Sequence, residues 1–264
     1  MHLPIFNVEK RPEVLHDFIR QNPLGVLTTA IDSKSHPFLQ SSHIPWLVDS
    51  NSETNISPAG LGRLRGHIAG QNPQAKAMIE SCTTSSPPNT FLERDVLVMF
   101  NGPVNHYVTP KFYKQTKPDT GKVVPTWDYE AVEVHGKARI YFDSTSPESK
   151  AFLAKQIAEL SEHMETSIMN YSNSETSENR AWKVEDAPEK YIELLTKNII
   201  GIEIEIGDMA GRFKWSQEKP VGDREGVIEG FREMGREGGL LLSEKVSERA
   251  AIFDAGKAAK KLVV

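Results

Sequence analysis

The sequence is poor in cysteine: Cys82 is the only one among 264 residues. A single thiol cannot form an intrachain disulfide, and it cannot supply a metal site built from several cysteines. A reducing compartment therefore suits the chain, and we expect a cytoplasmic, intracellular protein. Cys82 falls in a stretch rich in Ser, Thr and Pro at 81–89, which predicts an exposed loop and gives the thiol no activating partner.

Long apolar runs and an excess of positive charge are also missing. No run reaches the roughly 18 apolar residues of a membrane span, and the N-terminus carries charge too early for a secretory signal. Lys and Arg number 31 against 36 Asp and Glu, a net charge of −5. Because nucleic-acid binding depends on positive charge that displaces counterions, this balance disfavours direct DNA binding. We therefore predict neither a DNA partner nor a membrane partner.

Motifs for hydrolysis and for phosphate loops are absent from the sequence. It contains no G-x-S-x-G, no H-E-x-x-H and no Walker A motif, and its histidines lack metal-ligand spacing. GLGRLRG at 60–66 resembles a dinucleotide loop only in its glycines. A Rossmann loop needs a strand before it and a helix after it, whereas here a polar stretch at 50–60 precedes and a strand pattern follows. No metal site and no catalytic residue is predicted.

Hydrophobic periodicity indicates the fold class. Alternating or continuous apolar patterns predict strands over 24–30, 37–49, 61–69, 94–102, 129–143 and 199–209. Helical spacing and capping residues predict helices over 11–22, from 72, from 146, and over 188–196, 223–234 and 243–262. Polar stretches at 115–122 and 171–180 are typical of loops. Since the strands follow one another without a βαβ rhythm, we predict an α+β fold with a mostly antiparallel, barrel-like sheet and peripheral helices.

Two polar patterns within predicted strands are candidates for ligand binding. Alternation puts Ser41 and His43 on one strand face and Ser42 on the other; that face is either exposed to solvent or binds a polar ligand. Arg65 and His67 share a face of the next strand, which leads to a helix N-terminus that suits an anion. A capped helix beside a surface Arg and His explains that second pattern equally well.

Two further patterns lie nearer the C-terminus. Trp127 and the tyrosine two residues later have strand spacing, and they are more often core or interface side chains than a stacking platform for a planar ring. In RFKWSQEKPVGDREG at 212–226, Lys214 and Ser216 share a strand face opposite Gln217. Such cations and hydroxyls suit a phosphate, and they also suit a plain solvated surface.

Several segments together resemble one family, the PaiB-like FMN-binding negative transcriptional regulators, which are related to the pyridoxamine-phosphate-oxidase-like split barrels. The order of the matching segments is collinear over most of residues 1–231. They are FIRQNPLGVLTT (18–29), SSHIPWLVD (41–49), GHIAGQNPQ (66–74), VLVMFNGPVNHYVTPKFY (96–113), VPTWDYEAVEVHGKARI (124–140), IIGIEIEI (199–206) and GRFKWSQEKPVGDREGVIEGF (211–231).

The resemblance implies a split barrel, which we assign to 1–235, a homodimer, and FMN near the dimer interface. The tail over 236–264 is longer than the family core and is predicted to be a C-terminal helical extension. The FMN-contacting residues that it implies are Thr28, Ser41, Ser42, His43, Arg65, His67, Trp127, Lys214, Ser216 and Gln217. One departure is Glu218, which replaces the Asn that usually follows K-x-S-Q in the family. A carboxylate beside a phosphate would weaken binding unless it points away or pairs with Lys219.

Three functions compete on this basis. The first is a flavin-dependent oxidoreductase or flavin-linked regulator, in which FMN is reduced by a nicotinamide nucleotide and reoxidised by oxygen or another small-molecule redox partner. The second is a transcriptional regulator that acts through a protein partner without catalysis. The third is a haem-binding split barrel in which His43 or His67 is an axial ligand.

Overall fold

The computed structural model describes residues 1–50, 59–86, 88–174, 178–235 and 237–262. The strands are β1 (Val8–Glu9), β2 (Leu24–Ala30), β3 (Leu39–Pro45), β4 (Leu47–Asp49), β5 (Arg63–Ala69), β6 (Val96–Asn101), β7 (His106–Val108), β8 (Thr126–Tyr141) and β9 (Ile199–Lys214). The helices are α1 (Pro12–Gln21), α2 (Pro73–Thr84), α3 (Thr116–Thr120), α4 (Pro147–His163), α5 (Glu189–Thr196), α6 (Val221–Arg232) and α7 (Glu237–Leu262).

Residue contacts divide the chain into two compact units. The terminal unit comprises 1–10, 101–132 and 210–264, and the central unit comprises 11–100 and 133–209. The long strands β8 and β9 each contribute residues to both units. The boundary at residue 235, predicted from the sequence between the split barrel and the C-terminal extension, stays a prediction.

The central unit is built on one sheet with the strand order β3-β2-β6-β8-β9-β5-β4. β2 pairs antiparallel with β3, in the register Thr28↔Ser41, and with β6 on its other side. β5 pairs antiparallel with β9, in the register His67↔Gly201. The predicted α+β class with a mostly antiparallel sheet of split-barrel type is therefore confirmed.

Close backbone packing around Trp46 organises the core of the central unit. A Cβ on Gly66 would lie 2.8 Å from the indole ring, and a Cβ on Gly25 would lie 2.9 Å from it. Leu27 of β2 is fully buried and Ile44 of β3 is almost fully buried. Period-two alternation thus directs one face of each strand to the core and leaves the other face for ligands or partners.

Helix α4 covers the β5–β9 part of the same sheet. The rings of Phe152 and Tyr141 stack with centroids 4.0 Å apart. A Cβ on Gly201 would lie 2.5 Å from the Phe152 ring, so only glycine leaves room for that ring against β9. The close approach fixes the N-terminal half of α4 beside the start of β9.

In the terminal unit, short strands extend the two long ones: β1 pairs with β9 and β7 pairs with β8, both antiparallel. Helix α6 packs on the turn at 110–112, where Phe112 meets Phe231 edge to face at 5.7 Å. Buried Glu130 accepts a hydrogen bond from the Trp215 indole and forms an ion pair with Lys245 of α7 at 3.0 Å. Helix α7 therefore supplies the counter-charge of a buried carboxylate within this unit.

Sequence patterns were wrong about the stretch 81–89. Helix α2 continues to Thr84, and Cys82 is fully buried instead of lying in an exposed loop. Ala75, Met78 and Cys82 are buried at helical spacing, so the thiol acts as a small hydrophobic group on the core face of α2. The Ser and Thr residues around it occupy the exposed face, which hid the periodicity.

Smaller differences concern element limits. The strand predicted over 37–49 is interrupted at Trp46, and the loop predicted over 115–122 contains the short helix α3. Residues 51–58 of the predicted loop at 50–60, and residues 175–177 of that at 171–180, lie outside the described residues. Among the helices that the structure describes, none has the length and apolar character to cross a bilayer.

Candidate functional site

The outer face of β2 and β3 carries a pair of hydroxyl groups beside exposed apolar side chains. Thr28 Oγ1 and Ser41 Oγ lie 2.9 Å apart, across the paired strands. His43 is exposed on the same face, two residues along β3. Leu24 is 57% exposed and Leu39 is 64% exposed at opposite ends of the two strands. Ser41 and His43 were predicted to share one strand face, and their burial pattern agrees with that prediction. This face is open to solvent.

Ser42 points to the other side of β3 and connects it to α2. Its Oγ accepts a hydrogen bond of 3.2 Å from Asn72 Nδ2, while Asn72 Oδ1 accepts the Gln74 amide at 2.8 Å as the cap of α2. The Gln74 side chain in turn donates to the backbone oxygens of Leu27 and Gln40. Ser42 thus belongs to a network that positions α2 against the sheet, and its contact with FMN stays a prediction.

The guanidinium of Arg65 is surrounded by acceptors. It binds the Asp49 carboxylate through Nε at 2.7 Å and Nη2 at 2.8 Å, and it also reaches Glu159 and Gln156 of α4. Burial alone would lower the pKa of Arg65, but the bonds and charges of Asp49 and Glu159 raise it overall. Because its donors are already committed to carboxylates, Arg65 is poorly suited to a phosphate.

His67 is half-buried on the same strand, and its Nδ1 atom has no hydrogen-bond partner within the described parts of the chain. Burial lowers the pKa of His67, so the neutral imidazole is favoured. It stands opposite Gly201 in the β5–β9 register, on the sheet region that α4 covers. The structure therefore gives His67 surroundings different from those of exposed His43.

Lys214 ends β9 in the terminal unit, with 13% of its side chain exposed. Its ammonium group donates to Thr126 Oγ1 at 2.6 Å and to the Trp127 backbone oxygen at 2.5 Å, and it lies 3.6 Å from Asp128 Oδ1. Burial lowers the pKa of Lys214, and the nearby carboxylates oppose that shift. Three acceptors thus surround a cation whose predicted partner is a phosphate.

Ser216 and Gln217 are buried immediately after this strand. Ser216 adopts a left-handed backbone conformation with φ of 56° and donates its hydroxyl proton to Asp128 Oδ2 at 2.8 Å. Gln217 accepts the Trp215 amide at 2.7 Å and donates to the backbone oxygens of Phe6 and Phe213. Contact between either side chain and FMN would have to replace these internal bonds, so both contacts stay predictions.

A buried acidic cluster near Lys214 escaped the sequence analysis. Asp128 is fully buried, and burial raises its pKa to about 6, against the influence of Lys214 and Ser216. Glu218 adds to this rise. Burial raises the pKa of Tyr113, and the charges of Asp128 and Glu218 raise it further. Three polar atoms of this cluster are buried and have no hydrogen-bond partner in the part of the chain that the structure describes: Asp128 Oδ1, Glu218 Oε2 and Tyr113 Oη. The Asp in PTWDY was the available signal, since a carboxyl between strand aromatics needs partners when it is buried.

Trp127 does not belong to the core, contrary to the interpretation favoured from its spacing. Its side chain is 50% exposed and meets Tyr107 edge to face at 6.3 Å, while Nε1 donates to Asn105 at 3.1 Å. Alternation on β8 buries Asp128 and exposes Trp127, because the two residues point to opposite faces. An exposed aromatic ring is consistent with the predicted ligand contact, which stays a prediction.

The predicted residues can be compared with the chemical needs of FMN. The isoalloxazine ring needs an apolar surface and a few polar groups at its edge, and the phosphate needs available donors. Thr28, Ser41 and His43 meet the first need, because they are polar groups on an otherwise apolar, exposed sheet face. Arg65 does not meet the need of the phosphate, because its donors are bound to carboxylates. The Lys214 side chain remains partly exposed. The central face therefore fits the ring of a flavin.

Comparisons with known proteins give the family. Residues 1–208 match the family described as "Putative FMN-binding domain". The chain is 53% identical to an uncharacterized protein of Emericella nidulans, over 96% of this chain and 99% of that protein. It is 25% identical to the protease synthase and sporulation protein PAI 2 of Bacillus subtilis, over 87% of this chain and 88% of the relative.

Among solved structures, the FAD and heme binding protein of Mycobacterium smegmatis is similar with a TM-score of 0.44 and 13% identity, covering 85% of this chain and 80% of that one. The family match covers Thr28, Ser41 and His43 but ends before Lys214. Both the resemblance read from the sequence and FMN as the cofactor are confirmed by the family match. The chain therefore belongs to this family and is an FMN-binding domain of split-barrel fold.

Proposed function

We propose that the protein is a flavin-dependent oxidoreductase that holds the FMN ring on the outer face of β2 and β3. The observation that carries the proposal is the Thr28–Ser41 hydroxyl pair, 2.9 Å apart, beside exposed His43. The surrounding leucines, Leu24 and Leu39, remain more than half exposed. This combination offers a planar heterocycle both an apolar surface and polar groups for its edge.

Bound FMN would supply the hydride and electron chemistry. The two hydroxyls can donate or accept hydrogen bonds, so they would orient the polar edge of the ring. The exposed His43 imidazole can hold or deliver a proton next to that edge. Since the cofactor carries the reaction, a protein nucleophile is not required, in agreement with the lack of hydrolytic motifs in the sequence.

We also propose that a second copy of the chain covers this face and completes a homodimer. Exposed leucines on a sheet face are typical of a surface that is buried on association. Covering the face would exclude water from the ring and strengthen the hydrogen bonds that hold it. FMN binding and dimer formation would then be linked, each favouring the other.

The first experiment is an absorbance spectrum of the purified protein, before and after incubation with FMN and desalting. Flavin bands that survive desalting and are bleached anaerobically by a nicotinamide nucleotide, then restored by oxygen, are the expected result. Retained flavin that no nicotinamide nucleotide reduces would contradict the oxidoreductase proposal. A Soret band would favour the haem alternative, and sequence-selective binding to promoter DNA at moderate salt would overturn the expectation that the chain does not bind DNA directly.

Hydroxyl variants test the location of the ring. Combining Thr28→Val with Ser41→Ala removes the pair but keeps the strand shape, so we expect FMN affinity to fall by about 10-fold to 100-fold, as for two lost ligand hydrogen bonds. The matched control is Thr83→Val, whose hydroxyl is exposed on α2 and bonds only to its own helix. Equal FMN affinity in the double variant and the control would place the ring elsewhere.

Lys214 requires a separate test because its ammonium group already has protein acceptors. If it also binds the phosphate, Lys214→Ala should weaken FMN by about 10-fold or more and leave riboflavin affinity unchanged, since riboflavin lacks the phosphate. Unfolding by urea provides the control. Loss of the bonds from Lys214 to Thr126 and Trp127 alone would lower the stability of the protein, but it would not weaken FMN more than riboflavin. Equal weakening of FMN and riboflavin would make Lys214 a structural residue.

A further inference from the structure

We propose that the groove between α4 and α5 is a second ligand site, for an amphipathic carboxylate such as a medium-chain fatty acid. The groove lies within the central unit and has a volume of about 780 Å³. That size falls within the range of roughly 300–1,000 Å³ seen for small-molecule pockets. None of the residues predicted to contact FMN lines it.

Apolar side chains from both helices form the floor. On α4, positions 150, 153, 154, 157 and 158 line the groove, and on α5, positions 189, 192, 193 and 196 do. Both sets have the spacing of a single helix face. The apolar lining residues are Leu153, Ala154, Ile157, Ala158, Val184, Ala187 and Ile192. An alkyl chain could therefore lie along this floor, to which α5 contributes one apolar side chain, Ile192, among Glu189, Glu193 and Thr196.

The floor remains accessible because α5 is packed loosely. No residue of α5 is buried, although all eight of its residues are described. Ile157 and Ile192, which line opposite walls, are only half-buried. A continuous apolar strip that is open to solvent is a binding surface for an apolar group, since covering it removes hydrocarbon from water.

The basic residues of the lining lie toward one end. Lys150 is in the first turn of α4, and Lys197 directly follows α5. Phe152 packs against Gly201 at the start of β9, so the N-terminal turn of α4 lies beside the C-terminal end of α5. Hydroxyl groups accompany both lysines, from Ser144 and Thr196 respectively. This end offers two cations and two hydroxyls to a carboxylate head group.

The two lysines carry positive charge at one end of the groove, and the rest of the lining includes acidic residues. The Lys197 ammonium group has no side-chain partner among the residues that the structure describes, and the electrostatic partner of Lys150 is the exposed Asp143. Three carboxylates also line the groove: Glu193 lies one turn of α5 before Lys197, and Glu189 and Glu185 follow toward the opposite end, where they would repel a second anion. The groove is therefore polarised: it favours a ligand with one anionic end and one apolar body.

Calorimetric titration with decanoate tests the proposal, on flavin-loaded and flavin-free protein alike. Decan-1-ol and decylamine serve as probes with the same chain and no charge or the opposite charge. We expect decanoate to bind at least tenfold more tightly than either probe. Lys150→Ala combined with Lys197→Ala should reduce decanoate to the level of decanol, while the matched pair Lys155→Ala and Lys190→Ala, exposed on the same helices outside the groove, should leave it unchanged.

A filling variant keeps the test independent of charge. Ala158→Trp should block decanoate and decanol together while the thermal unfolding midpoint and the flavin spectrum stay those of the parent. The proposal fails if decanoate does not bind the parent, if decylamine binds more tightly, or if neither the double lysine variant nor Ala158→Trp changes decanoate binding. Loss of the flavin bands in the parent would instead count against the proposed oxidoreductase and leave the groove unaffected.

Discussion

Asp128 is a carboxylic acid in an environment that is unusual for its type. A carboxyl group in the middle of a strand is fully buried, with Ser216 on one oxygen and only the 3.6 Å approach of Lys214 on the other. Burial raises its pKa to about 6, from an ordinary value of 3.8. Protonation of Asp128 is thus coupled to the folded state.

The sign of this coupling gives a pH prediction. Because the folded state holds the proton more tightly, Asp128 contributes stability below pH 4 and loses that contribution as the pH rises through about 6. Asp128→Asn keeps an acceptor for Ser216 and removes the titration. We expect the variant to gain up to about 3 kcal/mol relative to the parent between pH 4 and 7, by urea unfolding. A constant difference across this range would show that Asp128 stays ionised, and Asp208→Asn, at an exposed strand position, is the control.

Cys82 gives a second prediction at this scale. The thiol is fully buried, and burial raises its pKa to about 11. At pH 8 a rise of two units lowers the thiolate fraction about 100-fold, and limited access lowers reactivity further. Iodoacetamide should therefore label the native protein at least about 100-fold more slowly than the chain unfolded in urea, as followed by mass spectrometry. Comparable rates would mean that α2 opens readily.

At the scale of elements, glycines set how closely helices approach their neighbours. Gly226 of α6 faces the turn at 110–112, and a Cβ there would lie 1.9 Å from the Phe112 backbone oxygen. Gly256 of α7 has open space around it. The two positions share a residue type and a helical setting but differ in packing, so they form a matched pair.

Alanine at these two glycines should have opposite effects. Gly226→Ala forces α6 away from a backbone atom, so we expect a loss of about 3 kcal/mol in the free energy of unfolding. Gly256→Ala should gain about 0.5–1 kcal/mol, because alanine restricts the unfolded chain and meets nothing in the folded one. Urea titrations measure both. Equal effects would contradict the close packing of α6 on Phe112.

At the scale of the whole molecule, the proposed dimer depends on the exposed face of β2 and β3. Leu39→Glu puts a charge on the exposed face of β2 and β3, where the leucine is 64% exposed, so monomer stability should change by less than about 0.5 kcal/mol. In the dimer the same charge would be buried without a partner. We expect sedimentation of the FMN-free protein to shift from dimer to monomer.

Leu240→Glu is the control for this change, because Leu240 is comparably exposed on α7. It should leave the dimer intact. If dimerisation and FMN binding are linked, Leu39→Glu should also weaken FMN retention at low protein concentration more than at high concentration. A parent that sediments as a monomer with and without FMN would overturn the dimer proposal.

Local sequence determined several parts of this protein. Alternation in β2, spacing in α1, and the Asn72–Pro73 start of α2 were each readable, because they depend on a few neighbouring residues. The shared face of Ser41 and His43 followed from the same period of two. Collinear motifs were sufficient to identify the FMN-binding family.

Tertiary structure alone decided which polar side chains are already occupied. Arg65 meets Glu159 across 94 positions of sequence, and Lys214 meets Thr126 across 88. No local pattern encodes such pairs, since long-range contacts depend on how the strands and helices are assembled. The same is true of Cys82, whose burial depends on which face of α2 meets the core. Sequence therefore specified the elements and the cofactor family, while packing determined which candidate residues are available to bind it.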